Sequence, residues 1–326
     1  MATGEGMVSW IWIISGLVFL YLGGEGLIRG SVGIAEKLQL STLLISTVII
    51  GFGTSAPELV VSVAAALDGY SEIAIGNIVG SNISNTMLIL GLGAIIFTIP
   101  CNAPQIKLDA LMGVIACLLL ALLSIPGYIH RFTGFLMLLL LIVYQSFNIW
   151  KEKKLAQEET QSETKFKNQI KKEIIPTTIA LPSALLLSIF SLIFLALGAH
   201  WLVKGAVTIA YQYGVSEAVI GLSLVAIGTS VPELFTVLVA SWRRHPDMVI
   251  GNILGSNLFN LLSILGITSL IQPIPFTGKI AEQDVWLLLA ISSFLLLVIL
   301  KRKKIDRLVG LSLLLSYGLY LYWLFL

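Results

Sequence analysis

The chain contains two copies of one unit. Sliding it by 175 positions lays Gly53, Thr54, Ser55, Pro57, Glu58 and Leu59 onto Gly228, Thr229, Ser230, Pro232, Glu233 and Leu234. The same shift lays Gly76, Asn77, Gly80, Ser81, Asn82 and Asn85 onto Gly251, Asn252, Gly255, Ser256, Asn257 and Asn260. Between Gly51 and Gly91 there are 18 identities in 41 positions without a gap, more than shared apolar composition supplies.

The repeated unit is a membrane unit. Of 326 residues, 57% are hydrophobic and 12% charged, the charged share being about half that of soluble chains. Ten apolar runs approach or reach the roughly 20 residues that cross about 30 Å of hydrocarbon. They are Met7 to Leu22, Ser41 to Leu67, Ile73 to Phe97, Ile106 to Ile125 and Phe132 to Ile149, then Leu181 to Leu197, Glu217 to Trp242, Met248 to Ile271, Val285 to Leu300 and Leu308 to Leu326. The runs are too long for barrel strands and do not alternate. Five spans per copy is an odd number, so the second copy enters the membrane from the opposite side. The expectation is an all-α membrane protein with ten transmembrane helices in two inverted five-helix repeats, residues 1–150 and 176–326. A charged cytoplasmic linker, residues 151–175 and beginning "KEKKLAQEE", joins them.

Basic residues set the expected orientation. With the amino terminus outside, 17 of 20 Lys and Arg fall on the cytoplasmic side, leaving Arg131, Lys204 and Lys279 outside; both termini are then outside. No Lys or Arg precedes the first run and no small-residue cleavage site follows it, so a removable signal peptide is not expected. Cys101 and Cys117 are not spaced as metal ligands and read as small apolar residues.

Within each unit the chemistry sits on two motifs. Pro57 has no N–H, which takes the helical partner from the Gly53 carbonyl; Pro232 does the same to Gly228. Carbonyls so exposed at membrane depth need a polar cavity or an ion. Thr54 and Ser55, with Thr229 and Ser230, add hydroxyl oxygens. Glu58 and Glu233 add carboxylates, each costing about 3 kcal/mol at mid-membrane on insertion scales. No Lys or Arg lies at comparable depth in any span, so the simplest counter-charge is a cation from solution. Oxygen ligands without Cys or His suit Ca²⁺ or Na⁺ and speak against Zn²⁺ or Cu⁺. In "GNIVGSNISN" and "GNILGSNLFN", Gly76 and Gly80, like Gly251 and Gly255, make a face of small residues for close helix packing. Ser81 and Asn85, like Ser256 and Asn260, stand four apart on one helical face.

"GFGTSAPEL" with "GNIVGSN", repeated as "AIGTSVPEL" with "GNILGSN", resembles the paired repeats of the cation/calcium exchanger superfamily, particularly its prokaryotic sodium/calcium exchangers. The resemblance covers nearly the whole chain. It implies that Glu58 and Glu233 bind calcium together with backbone carbonyls near Thr54 and Thr229. It implies sodium sites using Ser81 and Ser256 with the carbonyls of Gly51 and Ala226, and a central site completed by Asn85 and Asn260. Ca²⁺ and Na⁺ are then cargo in a prokaryotic cell membrane, and the lipid bilayer is the surrounding partner. No cofactor, no nucleic acid and no enzymatic activity are expected, and the chain is expected to work as a monomer.

One position departs from that pattern. Sodium/calcium exchangers commonly carry Asp at the last position of the second repeat, where this chain has Asn260. Two carboxylates then remain, which a single Ca²⁺ neutralises. The counter-ion stays open between Na⁺ and H⁺, and potassium dependence is open too; the "GN-A-E-H" signature of proton/calcium relatives is absent. Alternating access is expected, with spans one and six sliding across the other eight. Glu25 and His200, at matching positions on these two spans, are expected at the interface. A cation channel would use similar oxygens around an axis shared by subunits. An intramembrane enzyme has no support, since His130, His200 and His245 are scattered and no Walker loop appears.

Overall fold

The computed structural model describes residues 4–163, 179–212 and 226–324. Helix α1 spans Gly4–Leu38. It is followed by a bent pair, α2 (Thr42–Thr54) and α3 (Ala56–Leu67), inclined at 43° to each other, and by α4 (Ser71–Ile96). Next come α5 (Pro104–Ser124) and α6 (Arg131–Glu163). The second half has α7 (Leu181–Gln212), the short α8 (Ala226–Thr229) and α9 (Val231–Trp242). It ends with α10 (Pro246–Ile271), α11 (Ile280–Arg302) and α12 (Arg307–Leu324).

Among the described residues, seven helices are long and apolar enough to cross a membrane, or eight if the bent pair is one span. The expected ten included Glu217 to Trp242, whose first part lies outside the described residues; its described helix, α9, has 12 residues. The expected span Leu308 to Leu326 corresponds to α12, of 18 residues. The molecule is an integral membrane protein. Its outer faces carry Trp10, Phe132, Ile189 and Leu319, each more than half exposed; a surface of that kind belongs in lipid.

Helix α10 is 94% buried and α4 78%, against 28–44% for the other single-helix spans, so the two motif-bearing helices form the centre. Both contain a π-helical turn, Asn85–Ile89 and Phe259–Ile264, and α2 contains another at Ser46–Ile50. Such turns frequently mark functional sites. The repeats share backbone even where side chains differ. Gly69 and Arg244, 175 positions apart, both adopt positive φ, +84° and +59°.

The connections meet in a pattern that fixes their ends of the bundle. A two-residue strand β1 (Ile99–Pro100), before α5, pairs antiparallel with β4 (Lys304–Ile305), after α11. At the other ends of those helices, β2 (Tyr128–Ile129) pairs with β3 (Ile274–Pro275). The all-α expectation therefore gains two short clips, where connections at one end supply each other's backbone hydrogen bonds. Arg307 Nε to the Ile95 carbonyl (3.1 Å) joins the first end, and an Arg131 guanidinium N–H to the Ile271 carbonyl (3.2 Å) the second. The charged segment expected as a linker begins as helix, since α6 runs on to Glu163; residues 164–175 lie outside the described residues.

Helices α1 and α7 lie against each other along their glycines. A Cβ on Gly16 would stand 2.8 Å from the Gly198 carbonyl oxygen, and one on Gly198 2.8 Å from that of Gly16. Glu25, expected at the interface, accepts from Arg29 on its own helix and from Arg243 beyond α9, the latter through two contacts of 2.9 Å. His200 is exposed.

Candidate metal centre

Both proline motifs break their helices at the serine. Ser55 has φ −83° and ψ 6°, and Ser230 has φ −87° and ψ 6°. Each proline then occupies the first turn of the following helix, where its missing N–H is least costly. The expected bare Gly53 carbonyl is partly engaged, because the Ser55 N–H turns back toward the carbonyls of Gly51 and Gly53. One residue of non-helical backbone lets each serine hydroxyl leave its own helix axis and reach the other repeat.

The reach is reciprocal. Ser55 Oγ donates to Glu233 Oε1 at 2.9 Å, and Ser230 Oγ donates to Glu58 Oε1 at 3.1 Å. Both glutamates are fully buried, and in both the second oxygen, Oε2, has no hydrogen-bond partner. Among the described residues no ion pair reaches either carboxylate. Two buried acids from two repeats are thus turned toward each other's serines with one oxygen each to spare. A buried carboxylate without counter-charge is costly unless something compensates it.

Hydroxyls lie against this pair, whereas among the described residues Asn85 makes no hydrogen bond to either glutamate. Ser81 Oγ lies 3.2 Å from Ser230 Oγ and against Glu58. Thr54 and Ser256 lie against Glu233, 3.4 Å from each other. Ser256 donates to the Gly51 carbonyl at 3.2 Å, which brings that carbonyl into the group. Thr54 donates to the Ile50 carbonyl at 3.0 Å. Asn85 donates to Asn257 Oδ1 at 3.2 Å, and Asn257 to Thr86 at 2.9 Å. Asn260 is fully buried with both carboxamide atoms unpartnered, and no hydrogen bond ties it to either glutamate. Among the described residues no hydrogen bond joins the Ala226 carbonyl to the group.

Asn77 and Asn252 also belong here, though only their place in the repeat was visible in the sequence. Thr229 Oγ1 donates to Asn77 Oδ1 at 3.3 Å, and Thr54 Oγ1, whose proton goes to Ile50, lies 3.3 Å from Asn252 Oδ1. Asn77 Nδ2 donates to the Glu58 carbonyl (3.2 Å) and to Ser62 (3.0 Å). The identity of the "GN" dipeptides across the two copies was the available signal.

The helices holding these groups are in backbone contact. A Cβ on Gly251 would stand 2.8 Å from Ser46 Cβ, and one on Gly255 2.8 Å from Thr47 Cα. The small-residue face expected of the second repeat is therefore used against α2. The matching neighbours of Gly76 and Gly80 fall in residues 213–225, outside the described residues. Among the described residues no cluster of three His, Cys, Asp or Glu exists, so an ion here would rest on two carboxylates and neutral oxygens.

A family model described as sodium/calcium exchanger protein matches residues 8–150 and 183–326. The chain is 33% identical to CaxA of Alkalimonas amylolytica over 98% of its own length and 99% of that protein's. It is 29% identical to MaX1 of Methanosarcina acetivorans, named a sodium/calcium exchanger, over 98% and 99%. Among solved structures it matches the sodium–calcium exchanger NCX_Mj, soaked with Na⁺ and Sr²⁺, with a TM-score of 0.80 at 29% identity, covering 97% of this chain and 98% of that one.

Proposed function

We propose that this chain, which belongs to the sodium/calcium exchanger protein family, exchanges Ca²⁺ for Na⁺ across a prokaryotic cell membrane by alternating access. The reading rests on one observation, the crossed pair of serine–glutamate hydrogen bonds that leaves a free carboxylate oxygen from each repeat. Ca²⁺ takes six to eight oxygens at about 2.3–2.6 Å. Glu58 and Glu233 supply the charge that one Ca²⁺ neutralises. Ser55, Ser230, Ser81, Ser256, Thr54, Thr229, Asn85 and Asn260, with the carbonyls of Gly51 and Ala226, supply neutral oxygens. Na⁺ competes for the same oxygens, so the carrier moves when one cargo or the other fills them.

The architecture is ten spans in two inverted repeats, residues 1–150 and 176–326, with the linker cytoplasmic and both termini outside. Strand clips and arginine contacts that join connections of like parity support this arrangement. Helices α1 and α7, held together through glycines, are the moving pair. The chain works as a monomer, because both halves of the centre come from it.

Asn260 keeps a proton-coupled reading in play, since only two carboxylates lie in the centre. Flux separates the two. Uptake of ⁴⁵Ca²⁺ into vesicles carrying the purified protein should require an outward Na⁺ gradient; uptake driven equally by a proton gradient alone would assign H⁺. Uptake indifferent to every trans cation would reject exchange. Glu58→Gln and Glu233→Gln should each abolish Ca²⁺ binding, and retention in either removes that residue from the centre.

A further inference from the structure

The buried polar atoms left without partners fall mainly in two places. One is the centre above. The other lies between α5 and α6, near the start of α2. Asp109, in the second turn of α5, is 1% exposed. Its Oδ1 accepts from Tyr144 Oη and from Gln105 Nε2, while its Oδ2 accepts from nothing. On α6, Tyr144 donates to it, Asn148 lies against that tyrosine and Glu152 is close enough to act on it, at i, i+4 and i+8, and Gln145 follows Tyr144 in the chain. Asn148 lies against the Tyr144 hydroxyl and is 2% exposed, yet both of its carboxamide atoms are unpartnered. Gln145, 7% exposed, has the same two vacancies in its hydrogen bonding. Glu152 turns one oxygen to the Ser41 N–H at 3.1 Å and leaves the other bare.

The second repeat acts as an internal control. Asp284 stands 175 positions after Asp109 and accepts from Tyr320 at 3.3 Å, so the aspartate–tyrosine pair recurs. There, Lys279 is close enough to act on Asp284, its Nζ held 4.2 Å above the Trp323 ring. The first-repeat position equivalent to Lys279 is Pro104. One copy thus carries its own counter-charge, whereas among the described residues no Lys or Arg bonds to Asp109. Buried unsatisfied groups in such number call for an ion or water, and the Asp109 carboxylate, with carboxamide oxygens beside it and the Glu152 carboxylate close enough to act on it, is an anionic set of hard oxygens that favours a cation.

We propose that Asp109 and Asn148, with Gln145 close by along α6, hold a Na⁺ apart from the central pair of glutamates. Asp109 supplies the charge, the two carboxamides supply oxygens, and Tyr144 and Gln105 hold the carboxylate in position. The measurement is equilibrium ²²Na⁺ binding to the purified full chain in detergent, in a Glu58→Gln/Glu233→Gln background that removes the central carboxylates. One saturable Na⁺ per chain should remain there and disappear on adding Asp109→Asn or Pro104→Lys, the latter supplying an internal cation. Absence of saturable Na⁺ in the double-glutamine chain, as for a site holding water or a proton, would overturn the proposal; so would Na⁺ binding untouched by both further changes. In the otherwise unaltered chain, Pro104→Lys should lower bound Na⁺ by one while gradient-driven ⁴⁵Ca²⁺ uptake persists. That arm needs no altered glutamate, and undiminished Na⁺ binding in it also refutes the site. Loss of the central reading alone would leave the Pro104→Lys difference in place.

Discussion

Replacing Gly255 by alanine tests whether the centre depends on α2 and α10 touching backbone to backbone. A methyl at 255 would sit 2.8 Å from Thr47 Cα and nearer still to the Thr47 carbonyl oxygen. Neither obstacle is a side chain that can rotate away, so the helices must part. Restoring ordinary carbon–carbon contact, about 3.5–4.0 Å, requires roughly 1 Å of separation. Ser55 lies just beyond the end of α2 and reaches Glu233 at 2.9 Å. A shift of that size carries its hydroxyl past the roughly 3.0 Å reach of an O–H···O bond. Overpacking costs about 1–3 kcal/mol, and losing a hydrogen bond to a charged group about 1.5–3 kcal/mol. The second figure corresponds to a roughly tenfold to hundredfold loss of Ca²⁺ affinity. Unfolding can be followed with a thiol-reactive dye, since Cys101 and Cys117 are free and buried. Uptake of ⁴⁵Ca²⁺ reports the centre. Gly318→Ala is the control, because among the described residues nothing lies within 4 Å of a Cβ there. A Gly255→Ala protein with the parent's unfolding midpoint and uptake would refute the reasoning, and so would a Gly318→Ala protein equally damaged.

Three further outcomes follow from the same contacts. Ser55→Ala and Ser230→Ala each remove one donor to the opposite glutamate, at 2.9 and 3.1 Å; each should weaken equilibrium ⁴⁵Ca²⁺ binding by about tenfold or more. A loss in only one of them would show that the two halves do not contribute alike. Asn260→Asp adds a third acid to a fully buried position and should alter Na⁺ and Ca²⁺ affinities and the charge moved per Ca²⁺ in voltage-clamped vesicles; unchanged values remove Asn260 from the centre. Arg243→Ala breaks the fork to Glu25, but with Arg243 48% exposed the loss of stability should be small and should shrink further at high salt; a large, salt-insensitive loss would mean that Arg243 has a second role.

Much of the centre was legible because repetition and membrane depth both leave marks on a linear chain. Glu58 and Glu233 are conspicuous in apolar surroundings, and the 175-residue period pairs each with its counterpart. Pro57 and Pro232 locate the helix breaks to within two residues, since an imino acid lacks the N–H that a helix needs. What could not be read was which serine meets which acid. Ser55 is three residues from Glu58 yet bonds to Glu233. The crossing depends on how two helix breaks face each other, and a chain does not encode that in local spacing. Asn77 and Asn252 escaped a ligand assignment for the same reason, being joined to Thr229 and Thr54 only across the interface.

The Asp109 cluster is the clearest case of this division. Nothing in the spacing of Asp109 and Asn148 announces a relation, because they lie on separate helices and a carboxamide near a helix end reads as an ordinary polar residue. Burial of Asn148 with both atoms unpartnered is a property of the packed bundle. Composition, period and the placement of prolines and acids pointed to a membrane chain with two copies of one motif pair and an acid in each. Those features follow from the solvent each residue must face and from the bonds its backbone can make. The pairing of serines with distant glutamates, and the burial of one aspartate out of bonding reach of any described lysine, came from helices meeting in three dimensions, where distances of a few ångströms decide which polar atoms are satisfied.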